Sequence, residues 1–354
     1  MSVLDLARPE LLALEPYSSA RLEAGRAQVM LNANESPEPA YADDELALNR
    51  YPDPQPADLI ERLAAAFGVS AGQVYAGRGS DEAIDLLTRA FCRAGQDAVL
   101  VSPPTFGMYA VAAGVQGAAV LQVPLDAGRD FALDADAVIA AAQANPVKLV
   151  YLCSPNNPTG GAVPRAQILR IVAALAGRCL VVVDEAYGEF GDQPSLADAL
   201  GTHPNLAVLR TLSKAYGLAG ARIGVLLAAA EIIGLMRRIM APYPLPTPSV
   251  AAALRAFTPE ATAARVARIA RTRAERARLA GGRRPDRSAG RSARRYARRA
   301  PGVAQRGELP RLPRRRGQCR VALARRRRRA DPRRQSLSWP GRRAARQHRP
   351  ARRE

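Results

Sequence analysis

Residues 206–224 read LAVLRTLSKAYGLAGARIG: an apolar run of strand length, then a serine and a lysine, then a glycine-rich turn carrying one arginine. The chain has 52 basic residues, yet only two of them are lysines, Lys148 and Lys214. Where a plain positive charge suffices, this sequence uses arginine. A lysine amine can form a Schiff base with an aldehyde, which a guanidinium cannot. Lys214, at a strand end among small residues, therefore points to a covalent anchor; the bland alternative is a surface lysine.

Outward from this stretch, short runs rich in Val and Leu recur at 98–102 (AVLVS), 148–154 (KLVYLCS) and 179–185 (CLVVVDE), with a shorter one at 73–77 (QVYAG). Amphipathic segments lie between several of them. Residues 81–95 predict a helix stopped by Gly95, 165–177 a second, and 259–280 a long one with Pro259 in its first turn. Buried strands alternating with helices predict an α/β fold: a mostly parallel central sheet sandwiched by helices. Ligands of such sheets gather at the carboxyl ends of the strands. Asn157, Asp184 and Lys214 all fall there, offering an amide, a carboxylate and an amine to one crevice.

At 354 residues the chain can bury a large core. The net charge of +20 suggests nucleic acid at first sight, but it is confined to one end. Residues 281–354 hold 27 arginines, no lysine and four acids, whereas 1–280 carry a net −3. The body is thus an ordinary, slightly acidic chain for which no nucleic-acid partner is expected. No apolar run reaches membrane-spanning length and the opening MSVLDLARPELLALEPY has no continuous apolar core, so a soluble, cytoplasmic protein is expected. Cys92, Cys153, Cys179 and Cys319 show no metal-type spacing and read as free thiols.

The neighbours of Lys214 fit the needs of pyridoxal 5′-phosphate. Its ring nitrogen needs a carboxylate to stay protonated. Asp184 suits this, because an acid closing an apolar strand is costly without a cationic partner. Tyr187 and Asn157 can donate to the ring oxygen. For the phosphate, Ser213 and Arg222 flank the lysine, and GRGSDEAID (77–85) sets Gly79, Ser80 and Asp81 at a helix start, where free N–H groups favour an anion. Singly, each motif has a plainer reading: an N-cap, a turn, a salt-bridged rim.

Together, SPNNPTG (154–160), DEAY (184–187) and TLSKAYGLAGARIG (211–224) resemble the fold-type I pyridoxal-phosphate-dependent aminotransferases. LNANESP (31–37), RYPDPQP (50–56), RGSDEAIDLLTRAFC (78–92), PPTFGMY (103–109) and APYPLPTP (241–248) narrow the resemblance to the branch that exchanges an amino group between L-histidinol phosphate and 2-oxoglutarate. The resemblance runs from about residue 10 to 280. It implies Lys214 as Schiff-base lysine and proton shuttle, Asp184 on the pyridinium, Tyr187 and Asn157 on the ring oxygen, and Tyr109 stacked on the ring face. It also implies Ser80, Asp81, Ser213 and Arg222 at the phosphate, with Tyr51 reaching the phosphate of a neighbouring subunit in a homodimer. Tyr17 and Asn34 line up with substrate-side positions. Other fold-type I activities, an aromatic aminotransferase or a threonine-phosphate decarboxylase, are the nearest alternatives. A degenerate body with a nucleic-acid-binding tail is the alternative from another class.

The implied domains are an arm (1–40), a large cofactor-binding domain (41–245), the start of a small domain (246–280) and a tail (281–354). Members of the family end in a small α/β domain whose arginine, in a strand reading roughly LRI-x-x-G, grips the substrate's anionic group. No counterpart follows residue 280. The Arg-, Pro- and Gly-rich tail has the composition of GC-rich DNA read out of frame; the other reading is a natural disordered basic tail. The expected result is a chain that holds its cofactor, transaminates poorly and is only weakly stable.

Overall fold

In the computed structural model, residues 2–15, 33–41 and 45–281 are described. Seven strands form one sheet: β1 (Val74–Gly77), β2 (Ala98–Val101), β3 (Ala119–Gln122), β4 (Val147–Cys153), β5 (Leu180–Asp184), β6 (Leu206–Thr211) and β7 (Gly224–Ala228). Their order is β1-β7-β6-β5-β4-β2-β3, and only β7 runs against its neighbours. The mostly parallel sheet expected from the sequence is present, with β3 and β7 added to the strands the sequence pattern marks.

Apart from Lys148 at the start of β4 and the polar residues at the ends of β5 and β6, the central strands are apolar because helices cover both faces. Along β5, Val181 and Val183 join a core with Leu59, Leu63, Ile168 and Ile171. These come from α2 (Ala57–Phe67) and α6 (Arg165–Ala174), numbered after the short α1 (Pro9–Leu12). Leu180 and Val182 point the other way, into a core with Ile84, Phe91, Tyr109 and Met236. That face is built by α3 (Ser80–Phe91), α4 (Met108–Gln116) and, past α5 (Ala135–Ala144), α7 (Ala230–Ile239). The two-residue period of a strand sets which face each side chain serves.

Two helix ends differ from the sequence reading. The helix expected over 81–95 stops at Phe91, with Cys92 already extended. Arg93 N–H donates to Asp97 and Gly95 N–H to the Gly117 carbonyl, turning the chain into β2 at Ala98. The helix expected to 177 ends at Ala174, three residues before Gly177 adopts a positive φ. Beyond α8 (Thr247–Arg255), α9 (Pro259–Gly281) covers the predicted span and has no buried residue. Its arginines attach it instead: Arg265 lies 4.3 Å from the Tyr216 ring, Arg268 donates to the Ala215 carbonyl at 2.6 Å, and Arg273 to the carbonyls of Glu189 and Gly191. Cys92, Cys153 and Cys179 are buried free thiols, and burial pushes their pKa values up, to about 12 for Cys92 and Cys153 and about 11 for Cys179. Cys319 and the tail lie outside the described residues.

Candidate active site

The carboxyl ends of β4, β5 and β6 open onto a cavity of about 170 Å³ lined by Gly79, Ser80, Asp81, Phe106, Cys153, Asn157, Asp184, Ala186, Tyr187, Thr211, Ser213, Lys214, Ala219 and Arg222. Nine residues chosen from sequence for this crevice are brought together in it: Ser80, Asp81, Asn157, Asp184, Tyr187, Ser213, Lys214, Arg222 and the helix-start glycine Gly79.

Each strand end delivers its side chain for a local reason. After β4, the buried Asn156 donates to the Pro104 carbonyl at 2.9 Å and to Thr159 Oγ1 at 2.8 Å, and accepts from Thr105 Oγ1 at 3.0 Å. The loop is closed by its first asparagine, leaving the second, Asn157, on the cavity wall. At the end of β5, strand parity sends Asp184 toward the α4 side and Glu185 to the other. Glu185 is salt-bridged: it accepts from Arg210 at 2.7 Å, Ser195 Oγ at 2.6 Å and Leu196 N–H at 2.8 Å, while Arg210 also donates to Glu189 at 2.6 Å. The rim reading of an Asp-Glu pair thus holds for Glu185 and fails for Asp184.

After β6, the turn folds back on itself: Leu212 N–H donates to the Ile223 carbonyl and Leu218 N–H to the Leu212 carbonyl, both at 3.0 Å. Lys214 projects from this turn with Nζ 5.4 Å from the Tyr187 ring centroid. Arg222, at φ 55°, carries the chain into β7 and donates to Asp81 Oδ2 at 2.8 Å. The start of β7 lies directly against the start of α3: a Cβ on Gly224 would overlap the Gly79 carbonyl carbon and the Ser80 nitrogen. The Asp81 carboxylate is therefore occupied by Arg222. An anion at this end would meet the arginine, the serines and the helix N–H groups, beside an acid already paired to Arg222.

Asp184 is 3% exposed. Its carboxylate accepts from the Tyr109 hydroxyl at 2.7 Å and from Ala186 N–H at 3.0 Å, and no lysine or arginine among the described residues pairs with it. Burial pushes its carboxyl above the ordinary range, against the pull of those two donors. A buried carboxylate at the floor of a cavity, short of a cation, suits a protonated ring nitrogen. The residues present fit pyridoxal phosphate: an amine, an unpaired buried carboxylate, ring-oxygen donors and a cationic, hydroxyl-bearing far end.

Three expected positions lie elsewhere. Tyr109 does not reach the cavity: it is fully buried, stacked on Tyr151 at 4.7 Å, with its hydroxyl on Asp184. Phe106 takes the wall position, edge-on to Tyr109 at 5.6 Å. Tyr109 lies three and four residues before the buried Ala112 and Ala113, so helical spacing on α4 marks it as a core residue. Tyr51 is 48% exposed, stacked on Tyr243 at 4.5 Å and outside the cavity lining. Asn34 is exposed, at φ 53°; Tyr17 lies outside the described residues.

The fold and this crevice define a member of a large enzyme family: aminotransferase class I and II matches residues 21–283, and the chain belongs to it. Among curated relatives, the histidinol-phosphate aminotransferase of Xanthomonas euvesicatoria pv. vesicatoria (strain 85-10) is 54% identical over 279 residues, covering 78% of this chain and 77% of the relative. That of Xylella fastidiosa (strain 9a5c) is 53% identical over 279 residues, covering 78% and 76%. Among solved structures, histidinol-phosphate aminotransferase from Sinorhizobium meliloti in complex with pyridoxal-5′-phosphate aligns with a TM-score of 0.56 at 30% identity, covering 60% of this chain and 57% of that one.

Proposed function

We propose that the chain is a pyridoxal 5′-phosphate-dependent aminotransferase that takes the amino group of L-histidinol phosphate and passes it to 2-oxoglutarate. The observation that carries this reading is the buried Asp184 carboxylate, which no lysine or arginine among the described residues pairs with, beside Lys214 in one cavity. The substrate rests on identity above one half with relatives of that activity over 279 residues. Bound, the cofactor supplies an electron-withdrawing ring that stabilises the charge left when a proton leaves the substrate carbon.

The protein's own side chains do the rest. Lys214 holds the aldehyde and then carries the proton at its amine. Asp184 pairs with the ring nitrogen, Asn157 and Tyr187 hold the ring oxygen, and Phe106 covers a ring face. Ser80, Ser213 and Arg222 hold the phosphate, with Asp81 orienting Arg222. Tyr51, exposed and away from its own cavity, suits the phosphate end of a second copy, which supports a homodimer. Asn34 and Tyr17 belong to the substrate side. A cytoplasmic location goes with this reading; among the described residues no helix is long and apolar enough to cross a membrane.

The division into an arm (1–40), a large domain (41–245), the start of a small one (246–280) and a tail (281–354) belongs to the same proposal. That the family match ends at residue 283 supports a chain without the family's substrate-gripping arginine and with slow turnover. Mixing the chain, loaded with the cofactor, with L-histidinol phosphate should change its visible absorbance and, with 2-oxoglutarate, release glutamate more slowly than the Xanthomonas relative does. An absorbance that does not respond to L-histidinol phosphate would overturn the substrate assignment; turnover equal to the relative's would overturn the impairment.

A further inference from the structure

The hydroxyl of Tyr109 is the feature of the crevice that the proposed reaction leaves unused. It lies behind the cavity wall, fully buried, and donates a hydrogen bond to Asp184 Oδ2 at 2.7 Å. The ring is held in place: it stacks on Tyr151 at 4.7 Å with 6° between planes, and Phe106 meets it edge-on. Tyr151 is itself fixed by its hydroxyl, 3.1 Å from Thr88 Oγ1 and 3.3 Å from the Ile84 carbonyl. The donor beneath Asp184 is therefore rigid.

A carboxylate offers about four lone-pair sites. Here Oδ2 takes the Tyr109 O–H and Oδ1 the Ala186 N–H, which fixes both the rotamer and the plane of the group while leaving a lone pair free toward the cavity. Burial, then the Asp184 charge, holds Tyr109 protonated, so it remains a donor across the working range. A hydrogen bond to the charged form favours that form, which opposes the burial that would otherwise neutralise Asp184.

We propose that Tyr109 is a positioning residue for Asp184, aiming the carboxylate into the cavity and keeping it an anion, so that proton retention on the cofactor's ring nitrogen depends on a tyrosine that never touches the cofactor. This rests on the reading of Asp184 given above. The other titratable or charged groups facing the cavity, Asp81, Cys153, Tyr187, Lys214 and Arg222, stay unchanged in the comparison that tests it.

The test is a pH titration of the visible band of pyridoxal phosphate bound to the full chain, together with its binding constant by fluorescence. Tyr109→Phe keeps the ring and the stack and removes only the O–H. It should weaken cofactor binding by roughly tenfold or more, the scale of one charge-assisted hydrogen bond. It should also raise the pH midpoint of the band, because less positive charge is retained on the ring. Tyr151→Phe, an equally buried hydroxyl that bonds elsewhere, should lower the melting temperature and leave the midpoint alone. If Tyr109→Phe does not fold, 3-fluorotyrosine placed at 109 keeps the shape, makes a stronger donor and should move the midpoint down. An unchanged midpoint in Tyr109→Phe, or with 3-fluorotyrosine at 109, overturns the inference alone. A wild-type chain that yields no visible band removes the cofactor assignment and this inference with it.

Discussion

Replacing Arg210 with methionine tests how the strand end that aims Asp184 is held. Arg210 is 7% exposed and binds two carboxylates, Glu185 at 2.7 Å and Glu189 at 2.6 Å. Burial works against its charge, and Glu189 and Glu185 outweigh that, keeping the guanidinium protonated. At an effective dielectric near 20, each pair gains on the order of 4 kcal/mol of Coulomb energy. Desolvation of three charges takes back much of that sum. Removing one partner leaves the others buried and unpaired, a loss of about 3–5 kcal/mol. Glu185 keeps Ser195 Oγ and Leu196 N–H as donors, and Glu189 is nearer to solvent, so the lower half of that range applies. Urea unfolding followed by circular dichroism measures the loss directly. Replacing Glu185 and Glu189 by glutamine in the same chain should restore most of it. A loss under about 1 kcal/mol for Arg210→Met would show that the triad is in effect a surface pair, and the account of how β5 ends would be wrong.

Gly224→Ala would drive a methyl into the Gly79–Ser80 backbone; expect a loss of roughly 3 kcal/mol and weaker phosphate binding, whereas a variant as stable as wild type with normal cofactor affinity would contradict the packing. Asn156→Ala removes three hydrogen bonds that close the 154–160 loop, which should cost about 1–3 kcal/mol and lower kcat/KM while the visible band survives; unchanged kinetics would show that the loop holds itself. Burial raises the folded carboxyl pKa of Asp184 above its unfolded value, so the cofactor-free folded chain retains a proton that the unfolded chain has already released. The stability this group contributes is present below the unfolded value, about 3.9, and is lost as pH rises through the raised folded one. Asp184→Asn should therefore gain on wild type, both cofactor-free, as pH rises across that window; a pH-independent difference would contradict the burial argument.

The sheet was legible because β2, β4, β5 and β6 are buried on both faces and read as Val- and Leu-rich runs whose few polar residues sit at strand ends or at Lys148. β3 escaped notice because it is an edge strand with half-exposed side chains, and β7 because the site motif runs straight into it. Asn157, Asp184 and Lys214 could be placed in one crevice because each follows or closes an apolar strand, and Arg222 because it flanks the lysine; all four line the same cavity. The burial of Tyr109 behind the cavity and the presence of Phe106 in its wall were less plain, although the 109–112–113 spacing on α4 carried the signal that Tyr109 is a core aromatic. Two aromatics three residues apart look alike until the helix shows which one faces inward. Arg210 and Asn156 were invisible for another reason: their partners are distant in sequence, and nothing local marks a side chain whose task is to hold a neighbour in place.

The central claim is that Lys214 is the residue that takes the aldehyde. The chain has only one other lysine, Lys148, so borohydride reduction in the presence of pyridoxal phosphate, followed by peptide mass mapping, distinguishes them cleanly. The account predicts the pyridoxyl mass on the peptide holding Lys214, none on Lys148, and no visible band in Lys214→Ala. Label on Lys148, or a Lys214→Ala chain that keeps the band, would contradict it.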